Sequence, residues 1–198
     1  VSLVDTAMVG RLEGATYALA AMGIGVLATW ALVSFFSSLA TGTHVIVARR
    51  FGQGNFIECG NTLNNSLIIS LLIGVVVALI GVFLSRPIAD FFASDDTVGY
   101  YASEYLFYRF LGIPFFLISV SYRGFFFGIS KTKIFMISGT LTNLFNIIFS
   151  YIFIYGTFGL PEMGLAGSGL GATIATFSDV VFYLIIMLLP SYRKKFQN

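Results

Sequence analysis

Two aspartates stand inside stretches that otherwise carry almost no charge. Asp5 lies in VSLVDTAMVG, six residues before Arg11, and Asp179 lies near the middle of the run from Met163 to Tyr192. An ionised group in hydrocarbon costs about 2.5–3.5 kcal/mol on insertion scales, so each aspartate needs a partner, a wet cavity or a transported ion. For Asp5 two readings stand: a carboxylate paired or snorkelling near the interface, or an ion or proton site about 9 Å below the outer end of its helix. For Asp179 the alternatives are a buried pair with Arg109 or Arg123 and a direct part in transport, with Thr176 three residues earlier on the same helical face. Asn143, Asn146 and Ser150 recur at helical spacing and form a polar stripe. Such a stripe is either glue between helices, worth about 0.6 kcal/mol per bond, or the lining of the cavity that Asp5 faces.

The other reactive residue types point less far. His44 has no acid or second histidine at ligand spacing and reads as a bridging or interfacial imidazole. Glu104 and Arg109 are five apart, a poor spacing for a helical ion pair. Gly52 and Gly54 imitate part of a nucleotide-binding fingerprint, but no strand precedes them and the third glycine is missing, so they read as turn residues. A lone cysteine, Cys59, excludes an intramolecular disulfide and a cysteine-clustered metal site. An intramembrane enzyme would need converging catalytic groups, such as a serine with a histidine or paired aspartates at motif spacing, and the sequence offers no such motif. The expectation is a protein that is not an enzyme and uses no cofactor or resident metal.

The elements that position these residues follow from composition. The 198 residues are 57% hydrophobic and 10% charged, with a mean hydropathy of +0.90. A water-soluble globule carries about 25% charged residues, so this chain's solvent is lipid. Eleven basic and nine acidic residues leave a net charge of +2, which is no electrostatic footprint for nucleic acid. A spanning helix needs roughly 20 apolar residues. Ala15 to Ala48, Cys59 to Ser85, Ile134 to Pro161 and Met163 to Tyr192 each supply one, and Thr97 to Ile129 supplies a fifth with a kink at Pro114. The opening run is about half of that length and reads as the outer half of a sixth helix, in a chain that begins inside it. The predicted spans are therefore about 1–10 (partial), 17–46, 60–84, 98–128, 134–157 and 166–189, forming one all-α transmembrane lobe over 1–198.

Arg49 and Arg50, Lys131 and Lys133, and Arg193, Lys194 and Lys195 fall in alternate connections, while the others hold only Arg11 and Arg86. This bias predicts a multi-pass membrane protein with 49–58, 130–133 and 191–198 cytoplasmic. Cys59 then lies at the cytoplasmic end of the third helix, and Glu13, Asp90, Asp95, Asp96 and Glu162 lie outside. Gly23, Gly25, Gly139, Gly167, Gly169 and Gly171 are expected to permit close helix approach.

Several segments, in order, resemble one lobe of the multidrug and toxic compound extrusion (MATE) family. They are VDTAMVGRL at 4–12, ATGTHVIVARRFGQGN at 40–55, YRFLGIPFF through YRGFFFGISKTK at 108–133, LFNIIFSYIFIYG at 144–156 and GLAGSGLGATIAT at 164–176. The resemblance implies a twelve-helix carrier of two six-helix lobes around a central cavity, of which this chain is the amino-terminal lobe with a truncated first helix. The carboxy-terminal lobe would be its partner within the same protein, the bilayer its solvent and small organic compounds, often cationic drugs, its cargo. A transported proton or sodium ion would be exchanged for that cargo. By position, Asp5 matches the family's helix-one acid, Asn146 a cavity asparagine and Thr176 a helix-six threonine. Asn143, Ser150 and Asp179 are further cavity candidates. Many members carry aspartate and proline where this chain has Ser150 and Tyr151, so a second cavity carboxylate is missing unless Asp179 replaces it. A flippase of lipid-linked precursors from the same superfamily is the rival reading, with Arg109 and Arg123 as the basic residues it would need.

Overall fold

The computed structural model describes residues 3–12, 14–93 and 95–196. Glu13 lies outside the described residues. The chain is all helical where described: α1 Leu3–Val9, α2 Ala15–Phe36, α3 Ser38–Gly52, α4 Phe56–Phe92, α5 Asp96–Leu111, α6 Ile113–Gly128, α7 Thr132–Tyr155, α8 Gly164–Leu188 and α9 Pro190–Phe196, with a single 3-10 turn at Thr157–Gly159. Four stretches are long and apolar enough to cross a membrane, namely Ala15–Gly52, Phe56–Phe92, Thr132–Tyr155 and Gly164–Leu188, and the pair α5 and α6 makes a fifth that bends by 45°.

Local chemistry sets the joints. Ser37 and Ser38 donate their hydroxyls back to Val33 O and Phe35 O, a competition with the helix ladder that marks the junction of α2 and α3. Asn55 caps α4 by accepting from Glu58 N, and Asp95 caps α5 by accepting from Thr97 N at 2.8 Å. The bend between α5 and α6 falls at Gly112, and Pro114 occupies the first turn of α6, where its missing N–H leaves no intrahelical bond unmade.

The longest helix shows why only lipid suits this lobe. Along α4 the buried face carries Gly60, Ser66, Ser70, Gly74, Ala78, Gly81, Ser85 and Ala89, whereas Leu72, Leu79, Ile80 and Phe83 point outward, Phe83 at 81% exposure. Small residues face the neighbours and large apolar ones face out, the reverse of a soluble helix. Gly74 receives the backbone of Pro114 and Gly81 the ring of Phe110, so α4 cradles the bent α5–α6 pair. Buried hydroxyls then pin three helices together: Thr43 bonds Ser66 at 2.7 Å, Ser66 donates to Ser121 at 2.8 Å, and Ser70 bonds Ser121 at 2.7 Å.

Two apolar clusters fill the lobe. One, around Met22, Tyr105, Phe110, Leu117 and Leu165, lies towards the end where α1 stops. The other gathers Phe125, Phe126, Tyr183 and Phe196 with Phe51, Phe56 and Tyr192 at the opposite end, and it brings together the three basic connections. Of the glycines expected at helix contacts, Gly25, Gly167, Gly169 and Gly171 lie against neighbouring helices, but Gly23 and Gly139 meet no described atom within 4 Å. Gly23 is exposed and Gly139 half-buried with open space before it, which periodicity alone did not distinguish.

Candidate transport site

Asp5 is buried, at 2% exposure. Burial comes from α2, α7 and α8, against all of which α1 packs, and from Tyr155, whose hydroxyl donates to Met8 O at 2.9 Å and ties the ends of α1 and α7. Across the lobe, Asp5 and Arg109 both lie within electrostatic reach of the Tyr105 hydroxyl, and the Arg109 guanidinium stands 6.0 Å from the Tyr105 ring centroid. Tyr105 is held there because Gly25 and Gly169 leave room for its ring and backbone.

Beyond Asp5, at the end of α1, a cavity of about 800 Å³ is lined by Arg11, Tyr101, Glu104, Tyr108, Tyr155 and Glu162. Glu104 accepts a 2.7 Å bond from Tyr100 and makes no ion pair with Arg109 among the described residues, as their spacing led one to expect. A second cavity of about 250 Å³ is lined by Thr176 on α8, by Thr29 and Trp30 on α2, and by Arg109, Phe116 and Arg123 on the bent pair. Its charged walls are both arginines.

The sequence candidates divide among different environments. Asn143 is exposed on the lobe and Asn146 half-buried, whereas Ser150 is fully buried against Gly171. The three residues of the expected stripe thus differ in burial, although α7 packs on α8 both at its early turns, through Ser138 and Asp179, and at its later turns, through Ser150 and Gly171. Thr176 lies on the arginine-walled cavity and donates to Ala172 O, and neither described cavity has Asp5 or Asn146 in its wall. His44 is exposed beside Phe127, and no metal-sized cluster of ligands occurs among the described residues.

Asp179 is fully engaged. Arg123 donates to its Oδ2 at 3.1 Å, Ser119 donates to the same oxygen, and Ser138 donates to Oδ1. The choice between Arg109 and Arg123 is thus made for Arg123, which lies four residues after Ser119 on one face of α6. Ser138 precedes Ser150 by about 18 Å along α7. Asp179, bonded to Ser138, therefore stands well away from Ser150. The two serines escaped the sequence reading; Ser119 at i−4 of an intramembrane arginine was the available signal.

The MatE family model matches residues 1–152. The chain belongs to the MatE family. Among curated relatives, the probable multidrug resistance protein NorM of Idiomarina loihiensis is 34% identical over 173 residues, 87% of this chain and 37% of that protein. The protein of the same description from Listeria innocua is 33% identical over 193 residues, 97% of this chain and 42% of its own length. This MatE chain thus spans about two fifths of the relatives it matches. Its fold is shared with an outward-facing multidrug resistance MATE transporter of the MOP superfamily, with a TM-score of 0.85 at 21% identity, covering 96% of this chain and 41% of that one. It is shared too with a MOP superfamily transporter from Pyrococcus furiosus, with a TM-score of 0.86 at 21% identity over 98% of this chain and 41% of that one. The fold is that of a helical transporter lobe, and both solved structures named here are transporters.

Proposed function

We propose that this chain is the amino-terminal lobe of an inner-membrane carrier, not an enzyme, that exports organic, chiefly cationic, drugs by alternating access in exchange for protons or sodium ions. The observation that carries the reading is a carboxylate, Asp5, at 2% exposure on α1, which packs against α2, α7 and α8. Binding a proton or sodium ion removes the charge that burial penalises, so ion occupancy changes the relative stability of two lobe conformations. A cationic substrate competes for the same negative field. The basic connections are assigned to the cytoplasm by their excess of lysine and arginine, and Asn146 and Thr176 complete the proposed ion-coupling set on α7 and α8. In the full-length carrier, Asp5→Asn keeps size but removes charge and titration; it is expected to insert normally and to lose ion-driven uphill efflux. Retained efflux with unchanged ion dependence would reject the assignment.

One observation favours the flippase reading. Arg109 and Arg123 share a cavity; with Arg123 paired to Asp179, the Arg109 guanidinium there repels a cation and suits a phosphate. The readings separate on Arg109→Gln: a drug carrier keeps cation efflux, whereas a flippase loses transport of its phosphate-bearing lipid.

A further inference from the structure

The end of the lobe opposite α1 carries seven basic residues, Arg49, Arg50, Lys131, Lys133, Arg193, Lys194 and Lys195, against one acid, Glu58, a net charge of +6. The fold concentrates them rather than scattering them. The turn before α4, the turn before α7 and α9 all close over the same aromatic pile, in which Phe196 packs edge-on to Phe56 and Phe125 and Tyr192 meets Phe126.

Two of the seven charges are used internally. Arg50 pairs with Glu58 at 2.8 Å, and Lys195 Nζ stands 4.3 Å from the Phe56 ring centroid. The other five, Arg49, Lys131, Lys133, Arg193 and Lys194, are exposed and in no ion pair among the described residues. Large apolar side chains are exposed within about one helical turn of them: Phe127, Met136 and Leu189. Acyl chains cover such a collar, so the free charges stand at headgroup depth.

Within α9, Tyr192 and Phe196 turn into the pile and Arg193 and Lys194 turn out. The helix closes so tightly on α4 that a Cβ at Gly60 would lie 2.1 Å from Phe196 O. We propose that this face is a docking surface for anionic phospholipid headgroups, and that the bound lipid holds α9 down on α4 and α8. It does not depend on the transport reading, since it needs only that the lobe sits in a bilayer.

The full-length carrier is tested in nanodiscs of phosphatidylcholine alone and with one part in three of phosphatidylglycerol. Hydrogen exchange of 190–196 reports the docking of α9, and native mass spectrometry reports which lipid is retained. Phosphatidylglycerol is expected to slow exchange in this segment and to be retained over phosphatidylcholine. Each basic group near an anionic surface is worth roughly fivefold, so Arg193→Gln with Lys194→Gln should lower that preference by about 25-fold. Lys131→Gln with Lys133→Gln, on a separate element, should lower it similarly, and Arg86→Gln at the other end should leave it intact. Equal exchange in both lipid mixtures overturns the proposal. So does protection reproduced by inorganic phosphate in phosphatidylcholine alone, which assigns the face to free anions, or an equal loss in Arg86→Gln, which assigns the effect to overall charge.

Discussion

Replacing Asp179 by asparagine tests the node that joins three helices. The carboxylate accepts from Ser119 and Arg123 of α6 and from Ser138 of α7 while itself belonging to α8. Asparagine offers one acceptor oxygen in place of two, turns an amide N–H₂ towards a donor, and leaves Arg123 without its counter-charge. Removing one partner of a fully buried pair costs about 3–5 kcal/mol. The Arg123 side chain is 29% exposed and lines a cavity, so part of its hydration returns and about 2–3 kcal/mol is expected. Unfolding of the full-length carrier in mild detergent, titrated with SDS and followed by circular dichroism, measures the loss. The charge-free pair Arg123→Met with Asp179→Leu should be more stable than the single variant, because a packed apolar pair needs no desolvation, while the buried Ser119 and Ser138 hydroxyls, deprived of their acceptor, keep it below the parent. A single variant as stable as the parent, or a double variant weaker than the single, refutes the reasoning.

Gly171→Ala would put a Cβ 2.6 Å from Ser150 N, and this overpacking should cost about 1–3 kcal/mol in the same titration. Gly139→Ala, which meets no described atom within 4 Å, should be neutral or up to about 1 kcal/mol stabilising. Cys59 is buried and its thiol faces Val47 O, so its resistance to an impermeant thiol reagent reports packing rather than sidedness. With Cys59→Ser as background, Asp96→Cys should label from outside right-side-out membranes and Lys131→Cys should not; the opposite pattern inverts the proposed orientation.

Much of the architecture was legible because lipid imposes it residue by residue. Length, a 57% apolar composition and the spacing of charges were enough for the five long apolar spans, and Pro114 announced the bend because proline cannot continue a ladder. The ordered motifs from VDTAMVGRL to GLAGSGLGATIAT were enough for the family. The candidate site was legible only as a set of residues that hydrocarbon would not tolerate alone. That argument picked out Asp5 and Asp179, each of which is buried. It could not say that Asn143 would be exposed while Ser150 packs against Gly171, since both obey the same helical period.

What the sequence determined by itself is therefore what depends on one helix and its solvent: span, polarity and the cost of a lone charge. The tertiary structure decided the pairings. Arg123 and not Arg109 meets Asp179, Thr176 lies beside two arginines, and Phe196 folds back onto Gly60. Each outcome turns on which faces of separate helices meet and at what depth. That is fixed by how glycines and serines let backbones approach in lipid, a property of two surfaces together that no single helix encodes.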